Sequence, residues 1–274
     1  MRLRTLSVLA LTLASTALMA GPRDVAIHVT RLGGDRGSAQ PYVDRLLRHL
    51  EKLTGWPAAS TSGAFTVSKK EALAFLDQAQ PGYALLEPAL YFELRKARDL
   101  TPLGQVESAD LVSPRLNVVV KDPALKTLAD LKGKRLWTTL GDTPRYLSAV
   151  VLEGRLDLAG VQVKALGQAL KGVRGVLRGD CDATTLDDDQ LAKAREMTGG
   201  ADLRVLATSP ALPAIPVVAV GKALPEADRA ALVKALLGLC GTAEGAAICK
   251  EMHIGRFVPV DAAAFSRAQA LWGE

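Results

Sequence analysis

The amino-acid sequence predicts an α/β protein of two lobes, each built on a mixed, mostly parallel sheet flanked by helices. Three observations carry this reading. Short apolar, β-branched runs alternate with helical-period segments almost throughout, the pattern of parallel sheets. The chain has 274 residues, 49% hydrophobic and 23% charged, enough to bury a sizeable core. Two extended segments, near 113–118 and 204–216, each join Pro or Ser to a strand-like run, as crossings between lobes would. The stretch 116–205 then forms one lobe inserted into the other, which comprises 21–115 plus 206–274.

The elements follow in order. Residues 24–30 (DVAIHVT) read as a buried strand, followed by the Gly-rich loop RLGGDRG. Val43, Leu46, Leu47, Leu50 and Leu53 repeat at helical spacing, with Pro41 just inside the start. His49, between Arg48 and Glu51, has a surface pattern. Ser68 and Glu71 form a capping box for a second helix, which Pro81 and Gly82 stop. The run YALLEPALYFELR gives a strand, a turn at Glu87-Pro88 and a helix. Strands are expected at 116–120, 135–140, 161–166, 182–186, 203–207 and 216–220. Between them come a short helix from Thr127, a helix capped by Thr143 with Pro144 at its first position, and helices at 168–177 and 187–197. Three helices close the chain near 225–239, 242–252 and 261–271.

Residues 1–20 stand apart. Arg2 and Arg4 form a basic start, Leu6 to Leu18 is apolar with four Ser or Thr interruptions, and small residues surround Ala17 and Ala20. This reads as a secretory signal peptide cleaved after Ala20. The apolar run falls short of the roughly 20 residues a membrane span needs. No Cys lies near the cleavage point to carry a lipid, so a chain free in an extracytoplasmic space is expected. Loss of Arg2 and Arg4 lowers the net charge from +5 to +3, and the Lys and Arg residues are dispersed, so nucleic acid is not an expected partner. In an oxidising compartment, Cys181, Cys240 and Cys249 allow one pair and one free thiol. Cys240 and Cys249, with Gly241 and Gly245 between them, are the expected disulfide; the alternative is two buried thiols.

Catalytic signatures do not assemble. His28, His49 and His253 are scattered without metal-ligand spacing, and there is no GxSxG elbow, P-loop or GxGxxG. The stretch DCDATTLDDDQL lacks the Gly and Glu of a calcium loop. No enzyme activity, metal or cofactor is expected.

Four segments carry a resemblance. DLKGKRLWTTLGDTPRYL (130–147), PGYALLEPALY (81–91), VLRGDCDATTLDDD (176–189) and SPALPAIPVVAV (209–220) resemble, in order and spacing, type II periplasmic solute-binding proteins. Within these they are similar to the phosphate/phosphonate-binding branch of ABC-transporter receptors. The resemblance covers nearly all of 24–260. It implies a periplasmic, monomeric receptor that captures a small anionic solute between its lobes and presents it to an ABC permease. A sensor reporting to a membrane signalling partner, or an enzyme on the same fold, are the alternatives.

Candidate ligand residues follow from strand ends and helix starts, where ligands of such folds bind. Thr143 and the free N–H groups after it suit an oxyanion or simply cap a helix. Arg145 pairs with an anion or is solvated. Tyr146 lines the cleft or packs. Thr139 stands in a stretch where the branch places hydroxyls, but Asp142 there repels an anion and Pro144 removes a donor. Glu87 ends a strand and faces ligand or local backbone. Tyr91 stacks on ligand or fills the core. Asp187 meets a cationic ligand group or starts a helix. Arg31 sits in the loop with Gly33 and Gly34.

Overall fold

The computed structural model describes residues 23–29, 36–108 and 115–273. Residues 1–20, where a signal peptide is expected, and the Arg31 loop with Gly33 and Gly34 lie outside the described residues.

The chain opens with β1 (Val25–His28), α1 (Arg36–Thr54), β2 (Gly63–Thr66), α2 (Lys69–Ala79), β3 (Tyr83–Leu86), α3 (Pro88–Leu94) and β4 (Leu100–Ser108). It then builds β5 (Asn117–Val120), β6 (Arg135–Thr138), α4 (Pro144–Tyr146), β7 (Gln162–Ala165), α5 (Ala169–Arg178), β8 (Ala183–Leu186), α6 (Asp188–Arg195) and β9 (Arg204–Thr208). It closes with β10 (Ile215–Val220), α7 (Glu226–Gly238), α8 (Ala243–Glu251), β11 (Ile254–Val258) and α9 (Ala262–Trp272). Two sheets result, in the orders β11-β4-β10-β3-β1-β2 and β7-β6-β8-β5-β9. Strands from both ends of the chain form the first sheet, and strands from its middle form the second.

Each sheet is more evenly mixed than the mostly parallel sheets the sequence predicts. In the first, β1 runs parallel to β2 and β3, while β10 is antiparallel to β3 and β4. In the second, β6 is parallel to β7 and β8, while β5 is antiparallel to β8 and β9. The antiparallel strands flank the crossings: a chain leaving one sheet and later returning enters against the local direction. The two crossings, β4 to β5 and β9 to β10, are tied to each other. Ser209 N donates to Leu116 O (2.8 Å), and Leu116 N donates to Ser209 Oγ (3.0 Å).

Several local expectations change in detail. Helix α1 starts at Arg36, so Pro41 lies inside it rather than at its start. Ser68 caps α2 by accepting from Glu71 N, but the Glu71 carboxylate accepts from Thr66 Oγ1 (2.7 Å) instead of completing the box. His49 is buried, not on the surface: its ring nitrogens meet Glu244 (3.1 Å) and Thr242 Oγ1 (2.9 Å), because α8 packs over that face of α1. Glu51 is likewise buried. Burial opposes its charge, but donors from Thr61 Oγ1, Thr61 N and Ala59 N, with Arg48 beside it, prevail and hold its carboxyl below the usual range. Cys240 and Cys249 form a disulfide that ties the turn after α7 to α8. Cys181 is free and buried, and burial pushes its thiol up to about 12.

Candidate functional site

The carboxyl ends of the parallel strands in both sheets face a common cleft of about 830 Å3. From the first sheet come Glu87, after β3, and Gln105 to Ser108 of β4. From the second come Thr139, after β6, Gln168, after β7, and Asp187, after β8. The crossings contribute Arg115 and Leu116 on one side and Leu212 to Ile215 on the other. Arg256 of β11 and Asp261 at the start of α9 complete the charged lining.

Glu87 and Asp187 hold matching places in the two sheets: each ends a strand and sits at the N-cap of the next helix. Asp187 forms a full capping box, accepting from Gln190 N (2.8 Å) while Asp187 N donates to Gln190 Oε1 (3.2 Å). Glu87 makes no side-chain cap, and its N–H donates to His28 O (3.1 Å). Behind it, burial lowers the affinity of the His28 ring for a proton, against the Glu87 charge and a 3.3 Å contact of Nδ1 with Thr66 O. Below Thr139, the Thr138 and Thr185 hydroxyls share a hydrogen bond of 2.6 Å that locks the ends of β6 and β8 together.

The tip after β6 does not have the form the sequence predicts. Thr143 is buried but caps nothing; its hydroxyl donates to Leu140 O (3.2 Å). Leu140 N donates to Thr138 Oγ1, Gly141 N to Thr138 O and Thr143 N to Leu140 O, and Pro144 has no N–H. The Leu140, Gly141 and Thr143 N–H groups are therefore taken up inside a tight turn. Helix α4 is a single turn that widens into a π-helical stretch, Leu147–Val151. Gly141 makes this turn possible: a Cβ there would lie 2.4 Å from Ala165 Cα.

Of the expected ligand residues, the structure brings Glu87, Thr139, Tyr146 and Asp187 to the cleft. Arg145 is engaged elsewhere. Its guanidinium lies 4.1 Å from the Trp272 ring centroid, and Nη2 donates to Trp272 O (2.8 Å). Asp142 is exposed, and its carbonyl accepts from Lys69 Nζ (3.1 Å), a contact between the two halves. Tyr91 is buried edge-on against Phe92 and Phe265, so it fills the core. Thr143, Arg145, Asp142 and Tyr91 are not among the lining residues. The sequence reading missed Gln105, Gln168, Gln190, Arg115, Arg256 and Asp261. Gln168 was reachable, since it follows a strand just as Glu87 and Asp187 do.

Tyr146 holds a particular position. It is 3% exposed and stacks on Phe92 of α3 (5.9 Å, 29°), joining the two halves beside the cleft. Its hydroxyl has no hydrogen-bond partner. Burial first, and then the Glu87 charge, raise its proton affinity, so the hydroxyl stays protonated.

Two mixed sheets flanked by helices, joined by paired crossings over a cleft, define a type II periplasmic-binding-protein fold. Solved structures share it. The chain matches XAC2383 from Xanthomonas citri bound to chloride ion (TM-score 0.69, 13% identity, 91% of this chain and 95% of that one). It also matches a binding-protein component of an ABC phosphonate transporter, PA3383 from Pseudomonas aeruginosa (0.65, 13%, 91% and 84%). A third match is PhnD1 from Prochlorococcus marinus in complex with methylphosphonate (0.65, 13%, 92% and 97%). No curated protein matches the chain. Residues 43–265 match the model of the ABC-transporter phosphonate periplasmic substrate-binding proteins, and the chain belongs to that family. Its members are solute-binding proteins.

Proposed function

We propose that this chain captures a small phosphonate-like solute in the periplasm and delivers it, as a monomer, to an ABC permease. The lobes that close over the solute are 21–115 with 206–274, and 116–205. One observation carries the reading: a single cleft is lined by strand ends of both sheets and by both crossings, so a solute there touches both lobes and the hinge at once. Glu87, Thr139, Tyr146 and Asp187 form the ligand-facing set, with Gln105, Gln168 and Gln190 adding neutral donors and acceptors and Arg115 adding positive charge, while Arg256 is paired with Glu107 (2.6 Å).

A thermal-shift panel on the mature chain tests this, with phosphate, phosphite, phosphonates, sulfate and amino acids as solutes. At a hundredfold excess over Kd, binding adds about 2.7 kcal/mol, or a rise of roughly 5–11 °C for a chain of this size. A panel in which no solute moves the melting temperature refutes solute capture.

A further inference from the structure

Two independent features of the cleft bear on what it holds: a buried hydroxyl without a partner, and an apolar wall that ends in an exposed leucine. The first is the Tyr146 hydroxyl: 97% of the residue is buried, the ring is fixed against Phe92, and the O–H points to no acceptor. Buried hydroxyls are as a rule hydrogen-bonded, and of the orphan hydroxyls among the described residues that of Tyr146 belongs to a residue lining the cleft, where a ligand atom can complete it. Tyr146 lines the cleft together with Glu87, so the orphan hydroxyl belongs to a residue of the cleft wall.

The second feature is the apolar character of the walls. Leu116, Leu140, Leu170, Leu212, Pro213 and Ile215 all line the cleft. Leu140 occupies the tip after β6, where the tight turn has already consumed the Leu140, Gly141 and Thr143 N–H groups. Leu170, in the first turn of α5, is 45% exposed, one of the most exposed large apolar side chains among the described residues. An apolar side chain left in water inside a concave site gains by being covered. The cleft volume of about 830 Å3 also lies in the range of about 300–1,000 Å3 typical of sites for drug-sized ligands, far more than a bare oxyanion fills.

We propose that the Tyr146 hydroxyl reads the polar head of the solute, and that this head carries an apolar body of several carbons: a substituted phosphonate rather than inorganic phosphate or methylphosphonate. The inference rests on the solute-capture reading and narrows it. Tyr146 donates to a head oxygen, and Leu170 with Leu140 covers the body.

Calorimetric titration of the mature chain with inorganic phosphate, methylphosphonate and phenylphosphonate tests this, on wild type, Tyr146→Phe and Leu170→Ala. Phenylphosphonate binds at least tenfold tighter than methylphosphonate, and phosphate binds weakest. Tyr146→Phe weakens phenylphosphonate about tenfold without lowering the melting temperature of the unliganded protein, since the change removes an orphan group and keeps the ring. Leu170→Ala weakens phenylphosphonate and leaves methylphosphonate unchanged. Methylphosphonate or phosphate binding as tightly as phenylphosphonate overturns the apolar body yet leaves solute capture standing. An unchanged Kd in Tyr146→Phe overturns the role of the hydroxyl. If none of the three compounds binds, the inference falls, and solute capture survives only if another member of the wider panel raises the melting temperature.

Discussion

Replacing Arg145 by Ala separates two roles that the sequence alone leaves open, anion pairing and structural support. In the structure the guanidinium covers Trp272 at 4.1 Å and donates to Trp272 O. Helix α9 thereby ties its last turn to α4, while Trp272 also packs on Phe92 of α3 (6.0 Å). A cation over an indole at an exposed site contributes about 0.5–1 kcal/mol. A hydrogen bond to a carbonyl contributes about 0.5–1.5 kcal/mol net. Together Arg145→Ala costs about 1–2.5 kcal/mol, a fall of roughly 2–10 °C in Tm for a chain of about 250 residues. Trp272→Ala costs more, about 3–5 kcal/mol, because a buried ring is lost. In the double variant the two losses fall short of adding by about 0.5–1 kcal/mol, the cation–π part, since the backbone carbonyl remains. Urea melts measure these energies, and titration of the best-binding solute gives affinities within twofold of wild type for Arg145→Ala. Affinity lost tenfold with Tm unchanged would refute this reasoning and make Arg145 a ligand group.

Three further outcomes follow from other parts of the molecule. Gly141→Ala drives a Cβ to 2.4 Å from the Ala165 backbone; overpacking of about 1–3 kcal/mol and a displaced tip should lower Tm and weaken solute binding together, and a variant with wild-type Tm would show that the turn has slack. Glu51 has a depressed folded pKa, so its contribution is present above the unfolded value near 4.3 and is lost as pH falls through the folded value. The stability gap between wild type and Glu51→Gln should therefore shrink between pH 6 and pH 3 in urea melts, and a gap independent of pH would contradict it. Reducing the Cys240–Cys249 bridge, or replacing both by Ser, opens a short loop and should cost about 2–3 kcal/mol with solute affinity retained, because the bridge lies in the α7–α8 layer away from the cleft; equal stability with and without the bridge would count against it.

How much of this was legible in the sequence depends on how local each signal is. The strands Tyr83–Leu86 (YALL, apolar) and Ala183–Leu186 (ATTL, with two β-branched threonines) are short runs closed by an acid, and both appear where the pattern puts them, with Glu87 and Asp187 at their ends. The strands β4 and β11 were not legible. LTPLGQVES carries Pro102, Gly104 and polar residues, and it forms a strand because β10 and β11 pair on either side of it, with register shifts that accommodate the irregularity. Arg256 and Gln105 reach the cleft through that pairing, which no local pattern encodes. Burial of His49 was invisible for the same reason: its partners Glu244 and Thr242 lie nearly two hundred residues away, while Glu51 is buried by the nearer loop that folds Ala59 and Thr61 back onto it. The tip at 138–145 has the composition of a capped helix, yet Gly141 against Ala165 folds it into a turn that turns Thr143 inward and leaves Arg145 to Trp272. In each case the deciding contact is tertiary, and a local propensity yields to it.

A crystal structure of the mature chain grown with phenylphosphonate tests the account most directly. It should show the solute between the ends of β3 and β8, touching side chains from both sheets, with one head oxygen within hydrogen-bond reach of Tyr146 Oη. A solute seated on one lobe alone, or in the separate pocket beside Lys121, Arg178 and Arg204, would contradict it.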